Sequence, residues 1–158
     1  MFHVLGENAA YFATFLAAML VSLFCWSRGG RPERIAGLAY GACWLLGTVV
    51  SLASVGASGR FVQPLSLAIA SNAAVAAVFL YLTLRHNSPW LCAAVVAQGA
   101  QLGLNVVRRS EGASGGALIP GALLSAMFVL ELVMMASLVG ATLSAMMRRR
   151  APAPPQAA

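Results

Sequence analysis

Residues 120–147 read PGALLSAMFVLELVMMASLVGATLSAMM, and Arg148, Arg149 and Arg150 follow at once. A helix that crosses a bilayer needs about 20 predominantly apolar residues. This stretch exceeds that length and carries a single charge, Glu131, near its centre. The arginine run marks where the apolar stretch ends, as basic residues commonly do beside a membrane span. The rest of the chain agrees. It has 158 residues, of which 60% are hydrophobic and 9% charged, with a mean hydropathy of +0.82. A soluble domain is about 25% charged, and a disordered one combines low hydrophobicity with high net charge. Both classes are excluded.

Four more apolar runs precede this one. The expected helices cover about residues 8–26, 35–54, 63–84, 89–107 and 120–147, which makes an all-α integral membrane bundle of five transmembrane helices, or four if one segment is re-entrant. Ser27-Arg28-Gly29-Gly30-Arg31-Pro32 is a loop by composition. Ser88-Pro89 offers an N-cap followed by proline at the first helical position, and Pro64 and Pro120 suit the same starting role. Gly112, Gly115 and Gly116 make a flexible approach to the last helix. Residues 1–150 form one transmembrane domain. Residues 151–158, with Pro152, Pro154 and Pro155, form a disordered or polyproline-like tail. The first run lacks a basic leader, since Glu7 and Asn8 precede it, so it is expected to be retained rather than cleaved.

All ten basic residues are arginine, and the net charge is +6. They lie between the apolar runs or just past the last, not as a stripe on a soluble face, so nucleic acid is not the expected partner. Five spans put Arg28, Arg31, Arg34, Arg85, Arg148, Arg149 and Arg150 on one side, and Arg60, Arg108 and Arg109 on the other. Cytoplasmic loops are enriched in basic residues. The N-terminus is therefore expected outside and the C-terminus in the cytoplasm. Arg28, Arg31, Arg34, Arg148, Arg149 and Arg150 serve as topology anchors and as contacts for anionic lipid headgroups. Trp26, Tyr81 and Trp90 fall at the cytoplasmic ends, and Tyr11 and Phe61 near the outer ends, as an aromatic belt requires.

The intramembrane polar residues carry the functional signal. Glu131 lies near the middle of the fifth run, Gln98, Gln101 and Asn105 in the fourth, and Asn72 in the third. Antiparallel neighbours place Glu131, Gln98 or Gln101, and Asn72 at one depth. Gln98, Gln101 and Asn105 stand at i, i+3 and i+7 on a single helix face, which Arg108 continues to the outer boundary. A mid-bilayer charge costs roughly 2.5–3.5 kcal/mol on insertion scales, so Glu131 needs a partner, water or a proton. Two readings stay open. The carboxyl can be a proton- or cation-linked site, or a hydrogen bond that ties the fifth helix to the third and fourth. Met127, Phe128, Met134 and Met135 flank it. Small residues recur at helical spacing in Gly37 and Gly41, Gly99 and Gly103, and Ala136, Gly140 and Ser144. These suit close helix packing within the chain, with homodimerisation as the weaker option.

Catalytic and metal-binding patterns are absent from the sequence. There is no aspartate, and no HExxH, GxSxG or Walker loop occurs. Cys25, Cys43 and Cys92 sit inside apolar runs and form no CxxC, which argues against zinc or a disulfide framework. No cofactor is expected.

The stretch Arg28-Gly29-Gly30-Arg31-Pro32-Glu33-Arg34-Ile35, followed by Trp44, resembles a motif of small uncharacterised multi-pass inner-membrane proteins of proteobacteria. Leu84-Arg85 through Trp90, then Gln98, Asn105 and Arg108, is similar to a later block of the same group. The resemblance spans roughly residues 25–110. Two departures stand out. The group usually carries histidine where Asn105 stands, which puts a metal or proton role there in doubt for this chain, and the order of Trp and Pro around 89–90 differs. The resemblance implies a helical protein of the bacterial inner membrane and brings no activity with it. The leading expectation is a non-enzymatic structural or interaction protein, with the lipid bilayer and a membrane-protein partner or second copy as its contacts. The alternative is a small transporter, channel or proton-coupled sensor working through Glu131.

Overall fold

A computed structural model of the chain describes residues 2–58, 64–114 and 120–150. These form five helices: α1 Phe2–Arg28, α2 Arg31–Ser58, α3 Leu65–His86, α4 Pro89–Ser114 and α5 Pro120–Arg150. There is no strand among the described residues. Each helix holds a segment long and apolar enough to cross a membrane, so the fold is the all-α bundle the sequence predicts. The tail 151–158, Arg60, Phe61, Gly115 and Gly116 lie outside the described residues.

Several boundaries differ from expectation, among them the end of α2 at Ser58 rather than 54. The α1–α2 connection is far shorter than the expected loop over 27–34, because α2 already begins at Arg31. Pro32 stands in the first turn, where its missing N–H is no loss, and Gly29 and Gly30 alone make the turn. Helix α1 begins at Phe2 rather than near residue 8, so Glu7 lies within it. Helix α4 runs through Gly112 to Ser114, beyond the apolar run that suggested an end at 107. Elsewhere the proline signals hold. Pro89 and Pro120 are first helical residues, and Pro64 immediately precedes α3. The Ser88 carbonyl accepts from the Leu91 and Cys92 amides and so opens α4. Helix α3 closes on Asn87, whose φ of 44° is left-handed. Asparagine tolerates that conformation better than most residues, and it lets α3 and α4 turn back on each other through two residues.

The helices are arranged as a ring in chain order, α5 returning to α1, with α2 and α5 also touching across the middle. One end of the bundle carries the Gly29-Gly30 turn, the Asn87-Ser88 turn and the end of α5. It also carries the exposed residues Arg28, Arg31, Arg34, Arg148 and Arg149. The carbonyl of Gly29, at the end of α1, accepts from Arg34 Nε and from Arg149 Nη2, both at 3.1 Å. Cations at a helix C-terminus complement its dipole, and the second bond ties α5 to the α1–α2 hairpin.

Apolar packing is concentrated in the half of the bundle nearest those arginines. Phe79 and Leu82 of α3, Leu91 and Ala94 of α4, Met134 and Leu138 of α5, and Cys25 of α1 are all fully buried. Small residues bring α1 and α2 together. A Cβ added at Gly37 would lie 2.6 Å from Cys25 Cβ, and one at Gly41 would lie 2.7 Å from Ser22 Oγ. Gly99, Gly103 and Gly140 behave otherwise. A Cβ at any of them meets no atom within 4 Å. Their expected role in packing within the chain is therefore not realised, because they lie on faces that no described neighbour covers.

A candidate polar site at mid-bundle

The centre of the bundle holds a carboxylate bound by three donors. Glu131 Oε1 accepts from the Tyr40 hydroxyl and from Trp44 Nε1, the latter at 2.8 Å. Gln101 Nε2 donates to Oε2 at 2.6 Å. Tyr40 and Trp44 are four residues apart on α2, so one helix face presents both donors to α5. Gln101 reaches Oε2 from α4. Three helices are thus joined at one side chain, and all three donors are uncharged. A carboxylate is acceptor-only and offers about four lone-pair sites, and among the described residues one site on Oε2 has no donor.

The sequence placed five residues in this layer, and the structure brings them together unequally. Gln101 and Glu131 meet as expected. Gln98 does not bond Glu131; its Nε2 donates instead to Asn72 Oδ1 at 2.9 Å, joining α4 to α3. Asn105 bonds to neither. Its side chain is only 1% exposed, and both its Oδ1 and its Nδ2 lack a hydrogen-bond partner among the described residues, as does Gln98 Oε1. Buried polar atoms normally have partners, so these three mark a place where something polar belongs.

Gln98 and Asn105 are among the residues that line a cavity of about 520 Å³. All five helices contribute to its wall, including Trp44 from α2, Asn72 and Val75 from α3, and Asn105 and Arg108 from α4. It extends from the level of Tyr40, Val75 and Gln98 towards Leu65, Tyr11 and Arg108, away from the arginine-rich end. Beneath it lies the apolar half of the bundle described above. The cavity is therefore a cup: polar at mid-height, closed by Phe79, Leu82, Leu91 and Leu138 on one side, with Tyr11, Leu65 and Arg108 the described residues towards the other. Tyr11 supports the rim. Its hydroxyl shares a hydrogen bond with Thr48 Oγ1 at 3.2 Å, and its ring packs against Trp44 with centroids 5.6 Å apart.

Tyr40 and Trp44 do not stand out in the sequence as members of the site. Their i, i+4 spacing on the central part of the second apolar run was the available signal, since Tyr O–H and Trp N–H seek partners when buried. Met127 and Phe128 line the cavity, whereas Met134 and Met135 are core. Cys43 also lines it, with Sγ 3.6 Å from the Ser71 carbonyl. No group of three His, Cys, Asp or Glu side chains that could hold a metal occurs among the described residues. No protein-family model, curated protein or solved structure matches the chain.

Proposed function

We propose that the protein is a non-enzymatic, multi-pass receptor of a bacterial inner membrane that takes a small polar solute into its half-membrane cavity from the extracytoplasmic face. The observation that carries this is the buried, unpartnered amide of Asn105 in the wall of a 520 Å³ cup. Ligand sites are typically concave, of about 300–1,000 Å³, mostly apolar with a few convergent polar groups. The cup fits that description. The orientation follows from the arginines clustered at the closed end, which favour the cytoplasm. Glu131 is engaged by donors on two other helices, so in this account it fixes the wall of the cup and does not carry protons through the bundle.

The native Cys43 tests the proposal. It lines the cup, Cys25 is fully buried in the closed half, and Cys92 is exposed on the outside of the bundle. In a Cys92→Ala variant reconstituted with known orientation, a membrane-impermeant thiol reagent should modify Cys43 from the Arg108 side and leave Cys25 unmodified. Modification from both sides would make the cup a through-pore, and modification from neither would mean that water does not reach it.

A further inference from the structure

The cavity carries an acidic and a basic side chain at two levels. Glu131 stands at mid-bundle and Arg108 near the rim. On α4, Gln101 beside Glu131 and Arg108 are separated by about 10 Å of helix rise, at about 1.5 Å per residue. They share one face with Asn105 between them. Helical side chains lean towards the N-terminus of their helix, which for α4 is the closed end. Arg108, one turn beyond Asn105, is among the residues that line the cup.

The groups left unsatisfied have a definite character. Gln98 Oε1 and Asn105 Oδ1 are acceptors without a donor. Glu131 Oε2 accepts one described hydrogen bond, from Gln101. The described partners of Glu131 are all neutral, although a charge at this depth favours an opposite charge beside it. An ammonium group offers three N–H donors and one positive charge, and so answers each of these needs. At the rim the guanidinium of Arg108 would repel a simple cation, but its planar fork matches a carboxylate. Asn105 Nδ2, one turn before Arg108 on the same helix face, has no partner among the described residues. Between the two levels the wall is largely apolar, with Leu65, Ala68 and Met127.

We infer that the solute is a small zwitterion of the amino-acid class, its ammonium set against Glu131, Gln98 and Asn105 and its carboxylate against Arg108. This rests on the cup being an open binding site, and the experiment separates the two claims. The standard L-amino acids are offered singly to the Cys92→Ala protein in nanodiscs, and the rate of Cys43 modification is read. At least one should slow modification by about tenfold or more. The amine obtained by removing its carboxylate, and the acid obtained by removing its amine, should each bind about tenfold more weakly or worse. Arg108→Gln should abolish the preference for the zwitterion over the amine, and Asn105→Ala should weaken all three compounds together. Rapid Cys43 modification that no amino acid slows would overturn the zwitterion and leave the open cup standing. Equal binding of amine and zwitterion would also overturn it, in favour of a plain organic cation. Failure of Cys43 to react at all would remove the cup and the zwitterion together.

Discussion

Glu131 is held from two helices, and the effect of replacing it depends on what each donor would then face. In Glu131→Leu, Tyr40, Trp44 and Gln101 lose their acceptor at once. Each buried donor left unpaired costs about 1–3 kcal/mol. The three share a site and will not add fully, so a loss of about 2–4 kcal/mol is expected. Glu131→Gln is different. Its remaining oxygen can keep Tyr40 and Trp44, and the Gln101 amide can rotate to accept from the new NH₂. That variant should stay within about 1 kcal/mol of the wild type. Equilibrium unfolding in mixed micelles distinguishes the two, and equal losses would contradict the hydrogen-bond geometry. Much of this site is legible in the sequence. Antiparallel register and helix rise alone put Glu131, Gln98 or Gln101, and Asn72 at one depth. The partnership with Tyr40 and Trp44 is less visible, because aromatic residues in an apolar run read equally well as core or interface belt. Which amide would bond the carboxylate depends on side-chain reach, and depth cannot resolve it between Gln98 and Gln101.

At the scale of the helix, identical small-residue spacings have opposite surroundings. Gly37 and Gly41 abut α1 so closely that a methyl group would overlap Cys25 or Ser22. Gly99 and Gly103 abut nothing described. Gly37→Ala should therefore destabilise by about 1–3 kcal/mol through overpacking. Gly99→Ala should be neutral, or stabilising by up to about 1 kcal/mol, because alanine is the better helix former. Thermal unfolding of both variants in one detergent checks the contrast; a stable Gly37→Ala protein would mean that α1 and α2 are not packed through this face. GxxxG spacing identifies a face that permits close approach and says nothing of whether a neighbour takes it up. Helix ends follow the same logic. Pro89 and Pro120 act locally, and their starts are readable. The continuation of α4 past Gly112, and the early start of α2 at Arg31, reflect helix propagating beyond the apolar run that defines the span.

Across the whole molecule, the bundle divides into two halves of different chemistry. The arginine-rich end rests on Phe79, Leu82, Leu91, Met134 and Leu138, packed without exposure. The other half gives way around Gln98, Gln101, Asn105 and Glu131 to the cavity. Hydropathy detects the five helices but not this division, because both halves are apolar on their outer faces and differ only in what faces inward. The division also bears on function. A cup closed at one end can bind and report, whereas conduction would require the apolar half to part. The most direct measurement is a cysteine ladder down α4 in a Cys25→Ala, Cys43→Ala, Cys92→Ala background, placing single cysteines at 91, 94, 98, 105 and 108. With an impermeant thiol reagent, positions 98, 105 and 108 should react from the Arg108 side only, and 91 and 94 from neither side. Reaction at 91 or 94, or reaction of 98 from the arginine-rich side, would contradict the closed cup.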